Sequence, residues 1–306
     1  GLVECTLVDF DDEDIEAFVT KWTAALERAA RGRTKVAAEE AAAQRRELLE
    51  SIHRNPGVRA LAANPLLLTI LALMKRQGVI LPDRRVELYE TYVQTLLKTW
   101  NLARSLDPRR AREPAREFDA RETVKVLAPL ALWMHETSPG VGLVQEGPLR
   151  RKLEEIYASR GHLDPERAAG RLLEDVHEHA GLLIARGPRQ YGFLHLTFQE
   201  YLAGVAIGQL AQDGKDAIAD ALKPHVGDRT WREVSLLGLG YLAVVQGYDK
   251  LAGQVLDDLV AGASGKPGEA AALAGEAVAD MAPGGVTPAC KARVVKALLA
   301  TMRDDA

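Results

Sequence analysis

The segment 193–203, FLHLTFQEYLA, constrains the fold more than any other part of the chain, because it contains both a helix start and an apolar face. Thr197 is predicted to cap the helix, and Glu200 can reach back to the Thr197 backbone N–H to complete a capping box. Leu196 and Tyr201 have the spacing of a hydrophobic staple around that cap. The residues sharing one helical face are apolar, which predicts a buried helix: Phe198, Tyr201, Leu202, Val205 and Ala206.

Two short apolar runs, 181–186 and 191–196, precede this helix, and residues 187–190 between them are typical of a hairpin turn. His195 is therefore predicted to lie where a hairpin strand leads into a buried helix. The unpaired backbone N–H groups of a first helical turn favour anions, so His195 is a candidate anion ligand. A hydrogen-bonded core histidine is the alternative, and the residues alone leave both open.

The composition predicts a mostly helical protein that can form two or three domains. Ala and Leu dominate the 306 residues, and aromatic residues make up only 5%. The net charge is −4, and acidic and basic residues are interspersed along the chain. This charge distribution argues against nucleic-acid binding by the whole chain.

The cysteines and the apolar runs bear on location. Cys5 and Cys290 lie far apart with no metal-binding spacing, which is consistent with a reducing cytosol. No signal peptide opens the sequence, and the longest apolar run, residues 65–74, is too short to cross a bilayer. We therefore expect a cytoplasmic protein without a membrane partner.

A second informative block runs from residue 61 to residue 100. Asn64 and Pro65 are a cap and a first helical residue, and they begin a helix that is apolar on all sides. Residues 81–83 then separate it from another amphipathic helix.

Both segments carry a family resemblance. Residues 193–203 closely resemble the F-x-H-x-[ST]-F-Q-E-[YF]-L-A signature of the winged-helix part of NACHT-type ATPases, which are multidomain signal-transducing NTPases. The block 61–100 resembles their first helical domain, with N-P-L-L-L followed by L-P-x-x-R-x-E-L-Y. The segment 230–234, TWREV, resembles the sequence that follows the winged helix in these proteins.

The resemblance implies a regulatory role. In the family the winged helix folds over ADP and holds the ATPase core at rest, which implies that His195 contacts the β-phosphate and that Pro65 packs against the adenine. A trigger ligand or protein then releases ADP, ATP enters, and copies self-associate. The nucleotide, with Mg²⁺, would be held mainly by an ATPase core of the same polypeptide that this sequence lacks. Pro65 can equally be no more than a helix start.

The predicted fold is mostly α, and four segments follow from these patterns. Residues 1–103 form the last strand of the ATPase core and a helical domain, and the Arg- and Pro-rich segment 104–117 is a linker. Residues 118–212 form a winged helix with one small β-hairpin. Residues 213–306 form an antiparallel helical array that is compatible with HEAT-like stacking.

The sequence contains no complete catalytic site. The phosphate-loop look-alike at 262–267 has the wrong spacing, and Pro267 lacks a needed N–H. His177 and His179 point away from each other on a predicted helix, so they predict no metal site. Three functions stay open: a regulatory module of a signalling ATPase, a DNA-binding winged-helix regulator, and a helical protein–protein scaffold. Residues 165–180 are acid–base balanced, which does not favour nucleic acid.

Overall fold

The structure is a computed structural model that describes residues 9–76, 78, 80–82, 84–105, 119–178, 181–262, 265–281 and 284–304. This part of the chain contains fourteen α-helices and one three-stranded antiparallel sheet, which confirms the predicted, mostly α fold class. The chain divides into two compact units, and the boundary lies between residues 88 and 89, inside the fifth helix.

The first unit consists of helices whose starts the sequence encodes locally. Its helices are α1 (Asp12–Arg31), α2 (Lys35–Arg54), α3 (Pro56–Ala62), α4 (Pro65–Arg76) and the first turn of α5 (Arg85–Ser105). Asp11 caps α1 through a capping box with Asp14. The strand predicted to open the first segment lies outside the described residues, apart from residues 9 and 10, which form no strand.

Helix α4 begins as predicted. The Asn64 side-chain oxygen accepts hydrogen bonds from the backbone N–H groups of Leu66, at 3.0 Å, and Leu67, at 3.2 Å. Pro65 is the first helical residue, where its missing N–H is not needed. Six of its 12 residues are buried, whereas Leu73 is exposed, so the helix is buried on one side and not on most sides as its apolar composition predicts.

The second unit contains a complete winged helix. Its elements after α5 are α6 (Ala120–Thr137), β1 (Leu143–Gln145), α7 (Glu146–Ser159), α8 (Pro165–Glu178), β2 (Leu183–Gly187), β3 (Gln190–Phe193) and α9 (Leu196–Gln209). The sheet order is β1-β3-β2, so β3 lies in the centre. The hairpin of β2 and β3 was predicted, and Arg189 adopts a positive φ of 59° in its turn. The third strand was not predicted, because three residues are too few to show an alternating pattern.

Five α-helices of the described part of the chain follow the winged helix, in the region for which a helical array is predicted. They are α10 (Lys215–Leu222), α11 (Arg232–Gly240), α12 (Asp249–Gly262), α13 (Pro267–Met281) and α14 (Pro288–Asp304). A π-helical stretch, Tyr241–Val245, continues α11. Helix α11 packs against α9, and α12 packs against α10, α13 and α14.

The predicted linker at 104–117 overlaps the end of α5, which extends to Ser105. Its remaining residues, from 106 onward, lie outside the described residues.

Candidate functional site

His195 is the N-cap of α9, which corrects the prediction that Thr197 caps this helix. His195 has extended backbone angles, φ −147° and ψ 150°, and the helix begins at Leu196. The Thr197 backbone N–H donates to His195 Nδ1 at 3.3 Å, and the Thr197 hydroxyl lies 2.6 Å from the same nitrogen. The imidazole therefore takes the place of the hydroxyl or carboxylate that usually caps a helix.

This capping role fixes the tautomer of His195. Because Nδ1 accepts a backbone N–H, it carries no proton in the neutral ring, so the proton lies on Nε2. Nε2 has no hydrogen-bond partner among the described residues and is not one of their buried unpaired atoms. The ring therefore holds α9 with one nitrogen and offers an N–H donor with the other.

Gly192 in β3 has no side chain, so side chains from the two neighbouring strands can lie over it. A Cβ atom at Gly192 would lie 2.8 Å from Leu143 Cδ2 and 3.6 Å from Arg186 Cγ, so both side chains cross this glycine. Its strand neighbours Tyr191 and Phe193 point the other way and are buried. Gly192 thus lets Leu143 of β1 and Arg186 of β2 meet on one face of the sheet.

Arg186 is held at the junction by the last carbonyl groups before α9. Its guanidinium donates to the backbone oxygens of Phe193, at 3.0 Å, and Leu194, at 2.6 Å. Burial and the Arg186 charge together lower the pKa of His195, so the imidazole is neutral at neutral pH. No local sequence pattern indicates Arg186, because only the pairing of β2 with β3 brings it beside His195.

Apolar side chains around this junction are exposed. We call the set of Val141, Leu143, Arg186, Leu194 and His195 the junction surface; its three apolar members have exposed fractions of 66%, 37% and 37%. An exposed apolar patch beside polar groups is typical of an interaction surface.

The body of α9 packs against α5 through aromatic rings. Phe198 and Tyr201 are completely buried, as predicted. Tyr92 stacks on Phe198 with ring centroids 5.4 Å apart, and Tyr89 stacks on Tyr201 at 5.6 Å. The two sequence blocks that carry the family resemblance therefore meet in one aromatic cluster.

A hydrogen bond joins the same two helices. The Tyr201 hydroxyl donates to the Glu90 carboxylate. Burial and the adjacent Glu90 charge raise the pKa of Tyr201 well above its ordinary value, so the phenol stays protonated and remains a donor.

Pro65, the second predicted ligand residue, is exposed at the start of α4. It belongs to the first compact unit, whereas His195 belongs to the second. A nucleotide site shared by these two residues stays a prediction.

Neither metal binding nor membrane insertion is indicated in the described part of the chain. No group of three or more His, Cys, Asp or Glu side chains there could hold a metal ion. His177 Nε2 instead lies 2.6 Å from the Tyr191 hydroxyl, and His179 is outside the described residues. None of the described helices combines the length and apolar composition that a bilayer span needs.

The second helix of the helix-turn-helix, α8, is net acidic and not acid–base balanced as expected for residues 165–180, and this charge does not suit DNA reading. It carries two arginines, Arg167 and Arg171, against four acidic residues: Glu166, Glu174, Asp175 and Glu178. DNA-binding surfaces are normally rich in positive charge, because the phosphate backbone dominates affinity. This helix does not support the DNA-binding alternative.

The order of elements from α6 to α9 defines a winged helix-turn-helix domain. Residues 85–207 match the family model described as the winged helix-turn-helix domain C-terminal to NACHT. The match includes α5, the junction surface and nearly all of α9, and it supports placing these residues in the part of a NACHT-type protein that lies C-terminal to its NACHT domain. No curated protein matches the chain.

Proposed function

We propose that this chain is the regulatory module of a NACHT-type signal-transducing ATPase, and that it closes over ADP to hold the resting state. The observation that carries the proposal is that the two nitrogens of the His195 ring have different roles. Nδ1 caps α9, which leaves the Nε2 proton available as a donor to an anion.

The groups around His195 fit a phosphate. Arg186 adds a positive charge next to the imidazole, and its two backbone hydrogen bonds hold it there. An imidazole N–H donor with a guanidinium charge close by suits the charge and the acceptor oxygens of a diphosphate. Pro65, exposed at the start of α4, would pack against the adenine.

The apolar part of the junction surface supports a protein partner at the same place. Val141, Leu143 and Leu194 would be covered when the module closes on the ATPase core of the same polypeptide. ADP would then be held between a phosphate-binding core and His195, with Mg²⁺ bound by the core.

A two-state switch follows from this arrangement. A ligand shifts an equilibrium only if it binds the two states differently. ADP would contact His195 in the closed state alone, so ADP stabilises closure. An unidentified trigger ligand or protein would favour the open state, in which ATP replaces ADP and copies of the protein self-associate in the cytoplasm.

The test is His195→Asn in the polypeptide that contains both this chain and the ATPase core. Asparagine is an effective N-cap, so α9 should keep its start and the melting temperature should stay close to that of the parent. The far nitrogen of the ring is lost, and with it a hydrogen bond to a charged group worth about 1.5–3 kcal/mol. ADP should therefore dissociate roughly ten to a hundred times faster, and basal self-association should rise.

The matched control is His53→Asn, at an exposed position on α2. ADP release from this variant should equal that from the parent. If His195→Asn leaves ADP release unchanged, His195 is only a helix cap and the proposed contact is wrong. Tight binding of duplex DNA by the chain, without nucleotide binding by the longer polypeptide, would favour the winged-helix regulator instead.

A further inference from the structure

A cavity of about 400 Å³ lies inside the winged helix, away from the junction surface. The start of α6, the end of α7, the turn after α7, and α8 form its wall. Its volume falls within the range of known small-molecule sites. The family resemblance assigns no ligand to this place.

The polar side of the cavity has hydrogen-bond donors that can bind a ligand, whereas both oxygens of the Glu122 carboxylate already accept hydrogen bonds. Glu122 accepts from Lys125 at 2.6 Å with one oxygen and from Arg160 Nη2 at 2.7 Å with the other. Arg160 lines the cavity with a side chain that is one quarter exposed, although its Nε is buried and has no hydrogen-bond partner among the described residues. The His162 ring contacts the edge of Tyr157, and its nitrogens have no hydrogen-bond partner among the described residues.

The charges around the cavity point the same way. Glu122 and Arg160 line the cavity, and Lys125 binds Glu122 from outside the lining, so the cluster of these three side chains has a net positive charge. These cations also lower the pKa of Glu122, with the Lys125 hydrogen bond as the largest cause, so the carboxylate stays ionised. The exposed part of the Arg160 guanidinium can donate charge-assisted hydrogen bonds to a carboxylate in the cavity.

The remaining wall of the cavity is apolar. Val126, Leu127 and Leu172 are buried core residues that line it. Leu163, in the turn between α7 and α8, also lines the cavity, although its side chain is otherwise fully exposed to solvent. An occupant with an apolar body would cover Leu163 and gain the usual stabilisation from apolar burial.

We propose that this cavity binds a carboxylate with a short apolar body, the carboxylate on the exposed part of the Arg160 guanidinium and the body between Leu163 and Leu172. Two sources supply this chemistry: a free aliphatic acid, and the C-terminal residue of a peptide that ends in an apolar side chain. The site uses no residue of the junction surface, so it stands or falls independently of the nucleotide proposal.

The first experiment titrates the full chain with isocaproate and, in a second arm, with a short peptide that ends in leucine. Methyl NMR signals of Val126, Leu163 and Leu172 report binding. Saturable shifts should occur with the free acid or with the peptide carboxylate, and the tighter of the two identifies the source. Isocaproamide and the peptide amide, which have the same shape without the charge, should bind at least about tenfold more weakly. Equal binding of the amides, or no saturable shift with either carboxylate, overturns the proposal.

Two variants locate the site. Leu163→Asp changes a fully exposed side chain, so folding should be unaffected, yet its negative charge at the rim should weaken carboxylate binding by at least about tenfold. Val36→Asp, an exposed apolar residue on α2, is the matched control and should leave binding unchanged. Arg160→Lys keeps the positive charge but removes the planar guanidinium, and it should also reduce affinity by about tenfold. Unchanged affinity in Leu163→Asp places any binding elsewhere and refutes the assignment.

Discussion

Two helices cross at glycines in the second unit, and this crossing allows a sharp test of the packing that positions α9. A Cβ atom built on Gly204 of α9 would lie 2.7 Å from the backbone nitrogen of Gly238 and 3.0 Å from the backbone oxygen of Val234, both in α11. Side-chain atoms could rotate away from such a contact, but backbone atoms of a helix cannot. The two helices must therefore separate before any side chain fits at residue 204.

Gly204→Ala sets two effects against each other. Alanine is favoured over glycine in a helix interior by about 1 kcal/mol. Overpacking a core usually destabilises by about 1–3 kcal/mol, and contacts with backbone fall at the upper end of that range. We expect a net loss of roughly 2 kcal/mol, which lowers the melting temperature of a unit of this size by about 4–8 °C.

Gly170→Ala in α8 is the matched control, because the same substitution meets only the flexible end of Arg150, at 3.4 Å. The helix-propensity gain should then dominate, and the variant should be more stable than the parent by up to about 1 kcal/mol. Thermal and urea unfolding followed by circular dichroism measures both variants. A Gly204→Ala protein as stable as the parent would show that α9 and α11 do not approach as closely as described.

Three further outcomes are expected. Phe198→Ala removes a completely buried ring stacked between helices, and the free energy of unfolding should fall by about 3–5 kcal/mol; a melting point within a degree or two of the parent would contradict its core position. Because the pKa of His195 is lower in the folded chain, the unfolded chain binds the His195 proton more readily. The stability of the parent should therefore be highest above about pH 6.5 and decrease below it, and the decrease should be shallower in His195→Asn. Equal dependence of the melting temperature on pH in the two proteins would refute this. Arg186→Gln should speed ADP release in the intact polypeptide, whereas Arg189→Gln in the wing turn should not; similar rates for both would exclude Arg186 from the site.

The features that the sequence predicts well depend on neighbours along the chain. The apolar face of α9, the hairpin before it and the Asn64–Pro65 helix start all follow from spacings of a few residues. The N-cap of α9 was predicted two residues too late, because sequence rules for caps count hydroxyl, amide and carboxylate side chains and not imidazole. Only the geometry shows that His195 Nδ1 can reach the Thr197 N–H.

Contacts between residues far apart in the sequence could not be predicted. Arg186 approaches His195 because β2 pairs with β3, and Leu143 joins them because β1 pairs with the other edge of β3. Glu90 meets Tyr201 across 111 residues of chain. No local pattern encodes such contacts, so the charge beside His195 and the carboxylate beneath α9 emerge only from the fold.

The His195 ring both caps α9 and offers an N–H donor, and this combination gives the proposed two-state switch a physical basis that a freely exposed histidine would lack. A surface imidazole rotates freely, and an anion that binds it must first restrict that rotation. Here Nδ1 is already bound to α9, so the direction of the Nε2–H bond follows the helix. The helix is in turn fixed by its buried face, where Tyr201 donates to Glu90 and Phe198 stacks on Tyr92 of α5. A phosphate that accepts from Nε2 would therefore bind in one position of α9 and lose the contact when α9 moves, which is the differential affinity that a nucleotide-controlled switch requires.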